Sequence, residues 1–412
     1  MRLSQLDDIL KHKYRGGEDP KKIRLRRNIL SALTYTASVV LTLSVTGGVM
    51  WATGMFKREK QSEDLQAWAT PDASKIQFNV IDRSSGVKEM RVDERRINQP
   101  SIYGHEMLFS AGTGSLDNSI LTNLYLFNAV TEKVEKIAQS KIKDGEIFET
   151  YLSENWIVWV DTDHKGKNVI YKMNRKDVGE IKANTVSVVQ EAENHMPRLG
   201  LYGDYLVWME QVSDTEDQLY FVDLNTDENM SLKMFTSTNY AVSAPFIYKN
   251  TVMWADDDPD SEDGNISAIY SMTFDDLGES TEEESEEESG EIEPDVFKTN
   301  TYVHKPICND EIYVWIDKNN APDSNLYYAY KSGKAGTVKL WNNVTQFSVG
   351  EDFIVFVSNQ VVYAYYYDQG ILLQVSEANC ASILPQAFGT LVVWEDKTDT
   401  SANDLFKYNI MG

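Results

Sequence analysis

One phrase recurs seven times between Pro100 and Trp394 of this 412-residue chain. Each copy is a short strand, a tight turn and an apolar strand that ends in an aromatic residue, usually followed by an acid. A repeat of roughly 40–50 residues that contains only strands is typical of a β-propeller, in which each repeat forms one blade. The pattern predicts an all-β propeller of seven four-stranded blades, with six or eight blades as alternatives. The strand-end aromatics are Phe109, Trp159, Trp208, Trp254, Trp315, Phe356 and Trp394.

These aromatic residues are expected to build the core. Large rings at fixed blade positions bury area between neighbouring sheets, since one twisted blade cannot form a core alone. The alternative is a row of exposed rings that binds glycans. A second set of aromatics, on the third strand of each repeat, is predicted to bury area between neighbouring sheets as well: Tyr125, Tyr171, Tyr220, Tyr270, Tyr327, Tyr363 and Phe406.

The seventh repeat ends at Gly412, directly after its third strand. Outside the seven copies, Ile76–Ile81 and Lys88–Val92 read as a spare hairpin. We expect this hairpin to supply the missing fourth strand of blade 7. Closing the ring with strands from both ends of the chain removes an open sheet edge that would otherwise aggregate.

An apolar segment precedes the repeats. Asn28–Phe56 contains no charged residue, and it exceeds the ~20 residues that span a bilayer as a helix. Residues 1–27 carry nine Lys or Arg, so the positive-inside rule places this tail in the cytoplasm. The alternative is a cleaved signal peptide, whose apolar core is usually ~7–15 residues and ends in an Ala-x-Ala-like site.

The predicted organisation has four parts. These are a cytoplasmic basic tail (1–27), a transmembrane helix (28–56), a stalk (57–74) and a propeller (75–412) outside the cytoplasm. The predicted location is the plasma membrane, crossed once. Within the propeller, residues 275–293 are rich in Glu and Ser, and their mutual repulsion predicts a disordered acidic insertion.

The propeller region is strongly acidic. After residue 56 the chain has 60 acidic and 30 basic residues, and the formal charge of the whole chain is −25. Such a body repels nucleic acid, so we exclude nucleic acid as a partner. Two readings of the charge stay open: it keeps the protein soluble, or it attracts a cationic partner.

Acids follow the aromatic strand in five repeats: Asp161, Glu210, Asp256, Asp317 and Asp396. They are predicted to lie on one face of the ring, and we expect each to accept hydrogen bonds from the backbone of its own turn. The loop of the fourth repeat places Asp256, Asp258, Asp260 and Glu262 at alternate positions. Hard oxygen ligands suit Ca²⁺, which makes this loop a weak Ca²⁺ candidate, although it lacks the ordered Gly and terminal Glu of an EF-hand. No other cofactor is predicted.

Catalytic motifs are missing from the sequence. It has no Gly-x-Ser-x-Gly elbow, no Gly-rich phosphate loop and no His-Glu-x-x-His pair, so we predict that the chain is not an enzyme. The alternative is a glycan-active hydrolase or lyase, because paired carboxylates can be assembled in space. Cys308 and Cys380 are expected to be free thiols.

Two segments carry a resemblance to a known family. Trp394–Phe406, and Trp315–Asp317 with Ser324–Tyr327, follow the phrase apolar-apolar-Trp-x-Asp, polar loop, Asp/Asn-Leu/Ile-Tyr/Phe. This phrase resembles the TolB-like β-propeller repeats of many bacterial and archaeal surface proteins. The first and sixth copies depart from it, with Ala111 and Ser358 in place of the acid. The resemblance spans about residues 75–412 and implies a cell-envelope propeller, but it carries over no catalytic residue.

The sequence therefore predicts a membrane-anchored binding scaffold outside the cytoplasm. Its partner would be a protein or an envelope polymer held on one propeller face. Two alternatives are a transmembrane sensor that signals through residues 1–27 and the glycan-active enzyme.

Overall fold

A computed structural model describes residues 79–98, 100–112, 120–179, 186–193, 196–213, 216–236, 244–258, 266–273, 294–318, 324–334, 336–399 and 403–411. Within them the chain forms seven separate β-sheets arranged as blades, which confirms the all-β, seven-bladed prediction. Two single turns of 3-10 helix lie at Ser84–Gly86 and Arg175–Asp177. The predicted tail, membrane span and stalk lie outside the described residues.

Each blade has strands a to d from the inner to the outer edge. In chain order the strands before blade 4 are β1 (Asn79–Asp82), β2 (Lys88–Met90), β3 (Arg96–Ile97), β4 (Ser101–Tyr103), β5 (Glu106–Gly112), β6 (Asn123–Asn128), β7 (Lys133–Gln139), β8 (Glu146–Leu152), β9 (Trp156–Thr162), β10 (Lys167–Asn174), β11 (Val186–Glu193), β12 (Arg198–Tyr202), β13 (Tyr205–Ser213), β14 (Glu216–Asp223) and β15 (Glu228–Thr236). Blade 1 is β3 to β7, with its strand a divided into β3 and β4, blade 2 is β8 to β11, and blade 3 is β12 to β15.

The remaining strands complete the ring. They are β16 (Phe246–Tyr248), β17 (Thr251–Asp257), β18 (Ser267–Thr273), β19 (Asp295–Thr301), β20 (His304–Cys308), β21 (Ile312–Ile316), β22 (Leu326–Tyr330), β23 (Thr337–Trp341), β24 (Val344–Val349), β25 (Phe353–Ser358), β26 (Val361–Tyr366), β27 (Ile371–Gln374), β28 (Ser382–Phe388), β29 (Leu391–Asp396) and β30 (Leu405–Ile410). Blade 4 is β16 to β19, blade 5 is β20 to β23, and blade 6 is β24 to β27. Strands β28 to β30 are strands a to c of blade 7.

The first strand of each blade is the innermost. Strands β4, β8, β12, β16, β20, β24 and β28 contact one another in that order, and β28 contacts β4 again. The seven inner strands therefore surround a central channel, and the later strands of each blade lie progressively further from it.

The core consists of seven apolar clusters, one between each pair of neighbouring blades. All seven strand-b aromatics have no exposed surface, and each packs against the preceding blade. Trp208, for example, lies with Val158 and Ile170 of blade 2. It also stacks on Tyr220 of its own blade, with ring centroids 5.1 Å apart. The repeated aromatic is thus the residue that joins one blade to the previous one.

Both strands of the N-terminal segment close the ring, but on different blades. Strand β2 pairs antiparallel with β30 and supplies the outer strand of blade 7, as predicted. The expectation that the preceding strand belongs to the same hairpin was wrong. Strand β1 instead pairs parallel with β27 and becomes a fifth strand of blade 6. The segment therefore fastens blades 6 and 7 together.

Blade 7 differs from the other blades in the residue that lies opposite its strand-b aromatic. In the other six blades the strand-b aromatic lies opposite a tyrosine of strand c. In blade 7 the residue opposite Trp394 is Lys407. Phe406 lies on the other side of the sheet and packs edge-on against Phe109 of blade 1, at 5.2 Å between centroids. Phe406 is buried in the core between blades 7 and 1, as predicted. It faces blade 1 because strand c of this blade is shifted by one residue, and a one-residue slip reverses every side chain.

Candidate functional site

The connections between strands emerge on two opposite faces of the ring. Because neighbouring strands are antiparallel, the a–b and c–d turns lie on one face, here called the turn face. The b–c and d–a connections lie on the other, here called the loop face. The acids that follow strand b, and the Ca²⁺ candidate loop of blade 4, belong to the loop face.

Polar side chains on the turn face are largely engaged between blades. The Lys172 ammonium of blade 2 is buried over the Trp156 ring and donates to the Leu224 carbonyl of blade 3 at 2.6 Å. Asn309 of blade 5 donates to the Gly350 carbonyl of blade 6 at 3.1 Å. A buried polar group must be hydrogen-bonded to avoid a large desolvation cost. These polar groups of the turn face therefore stabilise the contacts between neighbouring blades.

Five of the seven inner strands are interrupted near the loop face, at the level of the strand-b aromatic. In blade 1 the strand is split between β3 and β4, around Asn98 and Pro100. In blades 2, 5, 6 and 7 the pairing of strand a with strand b shifts register at the same level. Such bulges bend a strand and re-aim its side chains, and they are over-represented beside functional sites. The interruptions mark the channel mouth on the loop face.

Two of these bulges hold strained backbone. Lys305 has a φ of 50° and Leu384 a φ of 52°, and a proline follows each of them. Positive φ is unusual for a non-glycine residue, and the proline that follows restricts the backbone further. Strain of this kind persists only where the surrounding structure imposes it, and it is concentrated at binding and active sites.

The sequence contains a signal for this end of strand a that the repeat of strands and aromatics does not include. Pro100, Pro245, Pro306 and Pro385 each precede the strand-b aromatic of their blade by nine residues. Proline cannot donate to a strand ladder, so within sheets it occurs at strand starts, edges and bulges. A proline at a fixed distance from the aromatic therefore points to the end of strand a that is nearest to the loop face.

The channel mouth holds a cluster of charges from three blades. Glu149 comes from blade 2, Arg198 from blade 3 and Lys305 from blade 5. The Tyr151 hydroxyl donates to Glu149 Oε2 at 2.6 Å, and Arg198 Nη2 lies 3.9 Å from Asp217 Oδ2. Glu149, Arg198 and Lys305 were not predicted from the sequence as part of a site.

The three charged groups at the mouth are electrostatically coupled through the channel. Desolvation raises the pKa of the Glu149 carboxyl, against the lowering effects of the Tyr151 hydrogen bond and of the Arg198 and Lys305 charges. Desolvation lowers the pKa of Arg198, while Asp217 and Glu149 act to raise it. It also lowers the pKa of Lys305, while Glu149 acts to raise it. Lys305 is an exposed residue of an inner strand, and the protein around it replaces part of the bulk water.

The five acids after strand b make different contacts. Asp317 accepts from the Asn325 N–H at 2.7 Å, and Asp396 from the Thr398 N–H at 2.8 Å, both within their own b–c connection. Asp161 instead accepts from the Lys141 N–H at 2.6 Å, in the connection from blade 1. Glu210 accepts from the Trp208 indole N–H at 3.4 Å. The expected turn bonds thus form at some positions, and at others the acid joins two strands or two blades.

The Ca²⁺ candidate stays a prediction. Asp260 and Glu262 lie outside the described residues. Asp256 accepts from the Asp257 N–H at 2.9 Å and lies 3.3 Å from the Lys233 ammonium, while Asp258 is buried. Among the described residues, no group of three or more His, Cys, Asp or Glu is placed to hold a metal ion.

Both cysteines are free and buried. Cys308 lies in the core between blades 4 and 5. Cys380 accepts from the ammonium of Lys407 at 3.4 Å, and the same ammonium lies 2.6 Å from Asp396 Oδ2. Lys407 therefore replaces the stacked tyrosine of the other blades with a polar contact to the acid after strand b.

Comparison with known proteins supports the architecture. No family model and no curated protein sequence matches the chain. Among solved structures, it is similar to the β-propeller domain of the Trilobed protease from Pyrococcus furiosus, described as having an open velcro topology. The two share 10% identity and a TM-score of 0.53, over 77% of this chain and 94% of that one. The fold is that of a β-propeller.

Two further likenesses extend the comparison. A prolyl endopeptidase shares 9% identity and a TM-score of 0.51 over 74% of this chain, which spans 45% of that protein. TolB from Acinetobacter baumannii shares 10% identity and a TM-score of 0.39, over 70% of this chain and 59% of that one. The first likeness shows the fold alone and the second is too weak to support an argument, so the TolB-like assignment stays a prediction.

The described part of the chain contains no helix long and apolar enough to cross a membrane. The segment predicted to do so, residues 28–56, lies outside it.

Proposed function

We propose that this chain is a single-pass, membrane-anchored scaffold whose propeller lies outside the cytoplasm and binds a protein or an envelope polymer through its loop face. The interruption of five inner strands at the mouth of the channel carries this proposal. Regular strands would close a propeller equally well. Prolines and bulges at one level instead turn backbone and side chains toward a common opening, as expected where a ligand is held.

The chemistry of the two faces supports the same choice. On the turn face, buried or paired polar groups join neighbouring blades. On the loop face, the channel mouth holds partly desolvated charges, and Phe148, which precedes Glu149 in the same bulge, has an exposed ring. Rigid sheets that present irregular connections on one side are a common arrangement for binding sites.

The anchor is proposed from the charge-free segment and its basic flank. A reporter enzyme that is active only outside the cytoplasm should be active when fused after Gly412 and inactive when fused before Met1. The mature protein should also keep its first residues, since an anchor is not cleaved. Recovery of a chain that begins near Met55 would show that a signal peptide had been removed.

The binding face can be tested with two matched double variants. Phe148→Asp with Lys165→Glu alters an exposed ring and an exposed lysine on the loop face. Val130→Asp with Lys176→Glu makes the same kinds of change on the turn face. The full-length protein in detergent, used as bait on native envelope extract, should capture a protein or polymer that the loop-face variant captures at least about tenfold less well, which corresponds to about 1.4 kcal/mol.

The turn-face variant should capture that partner as the wild type does. Equal capture by wild type and loop-face variant, or loss in the turn-face variant alone, would refute the assignment of the face. Melting curves of both variants ensure that a loss of capture does not come from unfolding.

A further inference from the structure

Three ionisable side chains meet where the b–c connection of blade 7 leaves the sheet. Lys397 follows β29 and Asp404 precedes β30, so both lie one position beyond the cross-strand pair Asp396–Leu405. Glu395 is on the same side of the sheet as Lys397, because side chains alternate along a strand. The Lys397 ammonium lies 2.5 Å from Asp404 Oδ2 and also contacts Glu395 Oε1. One amine therefore touches two carboxyl groups.

Both carboxyl groups are shielded from water. The side chain of Glu395 is 3% exposed and that of Asp404 is 9% exposed, whereas that of Lys397 is 31% exposed. Phe406 lies directly opposite Glu395 and is fully buried, so it adds an apolar wall on the side of blade 1. Neither Glu395 Oε1 nor Asp404 Oδ2 accepts a hydrogen bond, although the ammonium is within contact distance of both. Buried acceptors without a donor cost free energy.

We infer that the Lys397 amine and the Asp404 carboxyl group join in an intramolecular amide, an isopeptide bond, with Glu395 as the group that transfers protons. The inference does not depend on the proposed function. A lysine amine becomes a nucleophile when it loses its proton in a desolvated site. Contact in a fixed geometry makes the reaction intramolecular, with an effective molarity of about 10⁵–10⁸ M in well-oriented cases. This proximity offsets the low reactivity of a carboxyl group toward an amine.

The reaction balances without a cofactor or an oxidant. The Lys397 ammonium transfers one proton to the Asp404 carboxylate, and the neutral amine then forms a bond to Cγ of Asp404. Glu395 donates its proton to the hydroxyl group on Cγ, the Cγ–O bond breaks, and water leaves. Glu395 recovers a proton from the attacking nitrogen. An ammonium and a carboxylate thus become one amide and one water molecule, and the partial exposure of Lys397 gives that water a route out.

Glu395 is suited to this transfer. Burial raises its pKa to about 7, with Asp404 acting in the same direction and with Lys397 and Arg96 acting to lower it. Both of its protonation states are therefore accessible near neutral pH, as a proton-transfer group requires. After the reaction Glu395 is still free to titrate, beside an amide in place of an ammonium. The amide also removes the cost of keeping an ammonium and a carboxylate at a largely buried site.

The position of the bond gives it a structural purpose. The Asp404 N–H donates to the Arg95 carbonyl of blade 1 at 3.1 Å, and the Lys397 N–H donates to the Ala381 carbonyl, in the connection from blade 6, at 2.9 Å. An amide between the two side chains links these contacts covalently at the point where blade 7 meets both neighbours. Because the two cysteines are free, this cross-link does not depend on redox conditions.

Mass spectrometry of the intact, denatured full-length protein tests the inference. The wild type, kept folded in detergent until its mass is constant, should be one water molecule lighter than the mass calculated between its observed termini. Lys397→Arg and Asp404→Ala should each have the full calculated mass. Glu395→Gln should lose water at least about 100-fold more slowly, the usual contribution of a proton-transfer group.

Lys407→Arg is the matched control. Lys407 is also a lysine of blade 7 in contact with an aspartate, at 2.6 Å from Asp396 Oδ2, but its other close neighbour is the Cys380 thiol and not a second acid. This variant should lose one water molecule as the wild type does. Melting curves identify any variant that fails to fold.

Peptide mapping locates the bond. Trypsin should not cleave the wild type after Lys397, and fragment ions from breaks between Lys397 and Asp404 should be missing. A cyclic imide at an aspartate also loses one water molecule, but it needs no lysine and persists in Lys397→Arg. A wild type of full mass, a loss of water that persists in Lys397→Arg, or cleavage after Lys397 in the dehydrated protein would overturn the inference. The mass and the map of the wild type decide the matter even if a variant does not fold.

Discussion

Replacing Trp208 by alanine should lower the free energy of unfolding by about 3–5 kcal/mol, the usual cost of deleting a large buried aromatic side chain. Trp208 has no exposed surface and lies in the cluster between blades 2 and 3. Its ring stacks on Tyr220 at 5.1 Å, so the substitution removes packing within one blade and between two. Denaturant unfolding of the full-length protein, followed by circular dichroism, measures the loss.

Phe148→Ala is the matched control for this prediction. Phe148 is an aromatic residue on the neighbouring blade, but it is 37% exposed at a bulge. Its removal should cost less than about 1 kcal/mol, as for most substitutions outside the core. Similar losses in the two variants would mean that Trp208 does not hold the blades together, and that its ring is free for another purpose.

The repeat of strands and aromatics predicted the fold because the same residues pack each blade against the one before it. Each blade must bury one face against the preceding blade, and a ring at a fixed point of strand b does this in every copy. The number of blades followed from counting those rings. Short-range patterns of this kind are visible in a sequence because one blade repeats the environment of the next.

The two features that the repeat did not predict lie where the repeat is broken. The one-residue shift in blade 7 places Lys407 opposite Trp394. It changes neither the length of the strand nor the number of aromatic residues in the repeat, so the sequence pattern does not reveal it. The parallel pairing of β1 with β27 joins residues about 290 positions apart. A strand of four residues does not specify its partner, and strand pairing depends on the edge that the rest of the fold leaves open.

The channel mouth could be predicted only in part, for a similar reason. Glu149, Arg198 and Lys305 are far apart in sequence and belong to different repeats, so no motif connects them. Their common level is set by the bulges, and four prolines at nine residues from the aromatic mark the same region of strand a. The prolines indicate where a site could lie. Its charged residues come together only when the inner strands of the seven blades fold around one channel.

The closing seam between blades 7 and 1 contains a second set of buried charges. Glu395 is only 2% exposed, on the side of β29 that faces blade 1. Lys397 forms ion pairs with both Glu395 and Asp404, and the Asp404 N–H donates to the Arg95 carbonyl of blade 1 at 3.1 Å. Because Lys397 pairs with both acids, the protonation of Glu395 should influence how strongly blades 7 and 1 are held together.

Glu395→Gln should therefore change the dependence of stability on pH. Burial raises the pKa of Glu395 from 4.5 to about 7, against the lowering effect of Lys397. The folded protein then holds a proton that the unfolded chain has lost, so this contribution to stability is complete below about pH 4.5 and is lost as the pH rises through 7. Glutamine cannot ionise, so the variant lacks this loss.

Between about pH 5.5 and 8.5 the stability of the wild type should fall by about 2 kcal/mol relative to that of Glu395→Gln. The pKa of Glu395 rises by roughly 2.5 units on folding, and about 1.5 of these units lie above pH 5.5. Each unit corresponds to about 1.36 kcal/mol. Thermal or denaturant unfolding at several pH values, at constant ionic strength, measures the difference. Glu89→Gln on β2, the outer strand of the same blade, replaces an exposed carboxylate and should follow the wild-type curve. Parallel curves for the wild type and Glu395→Gln would mean that Glu395 stays ionised in the folded protein. Lys397 would then hold two carboxylates at the seam without the help of a proton.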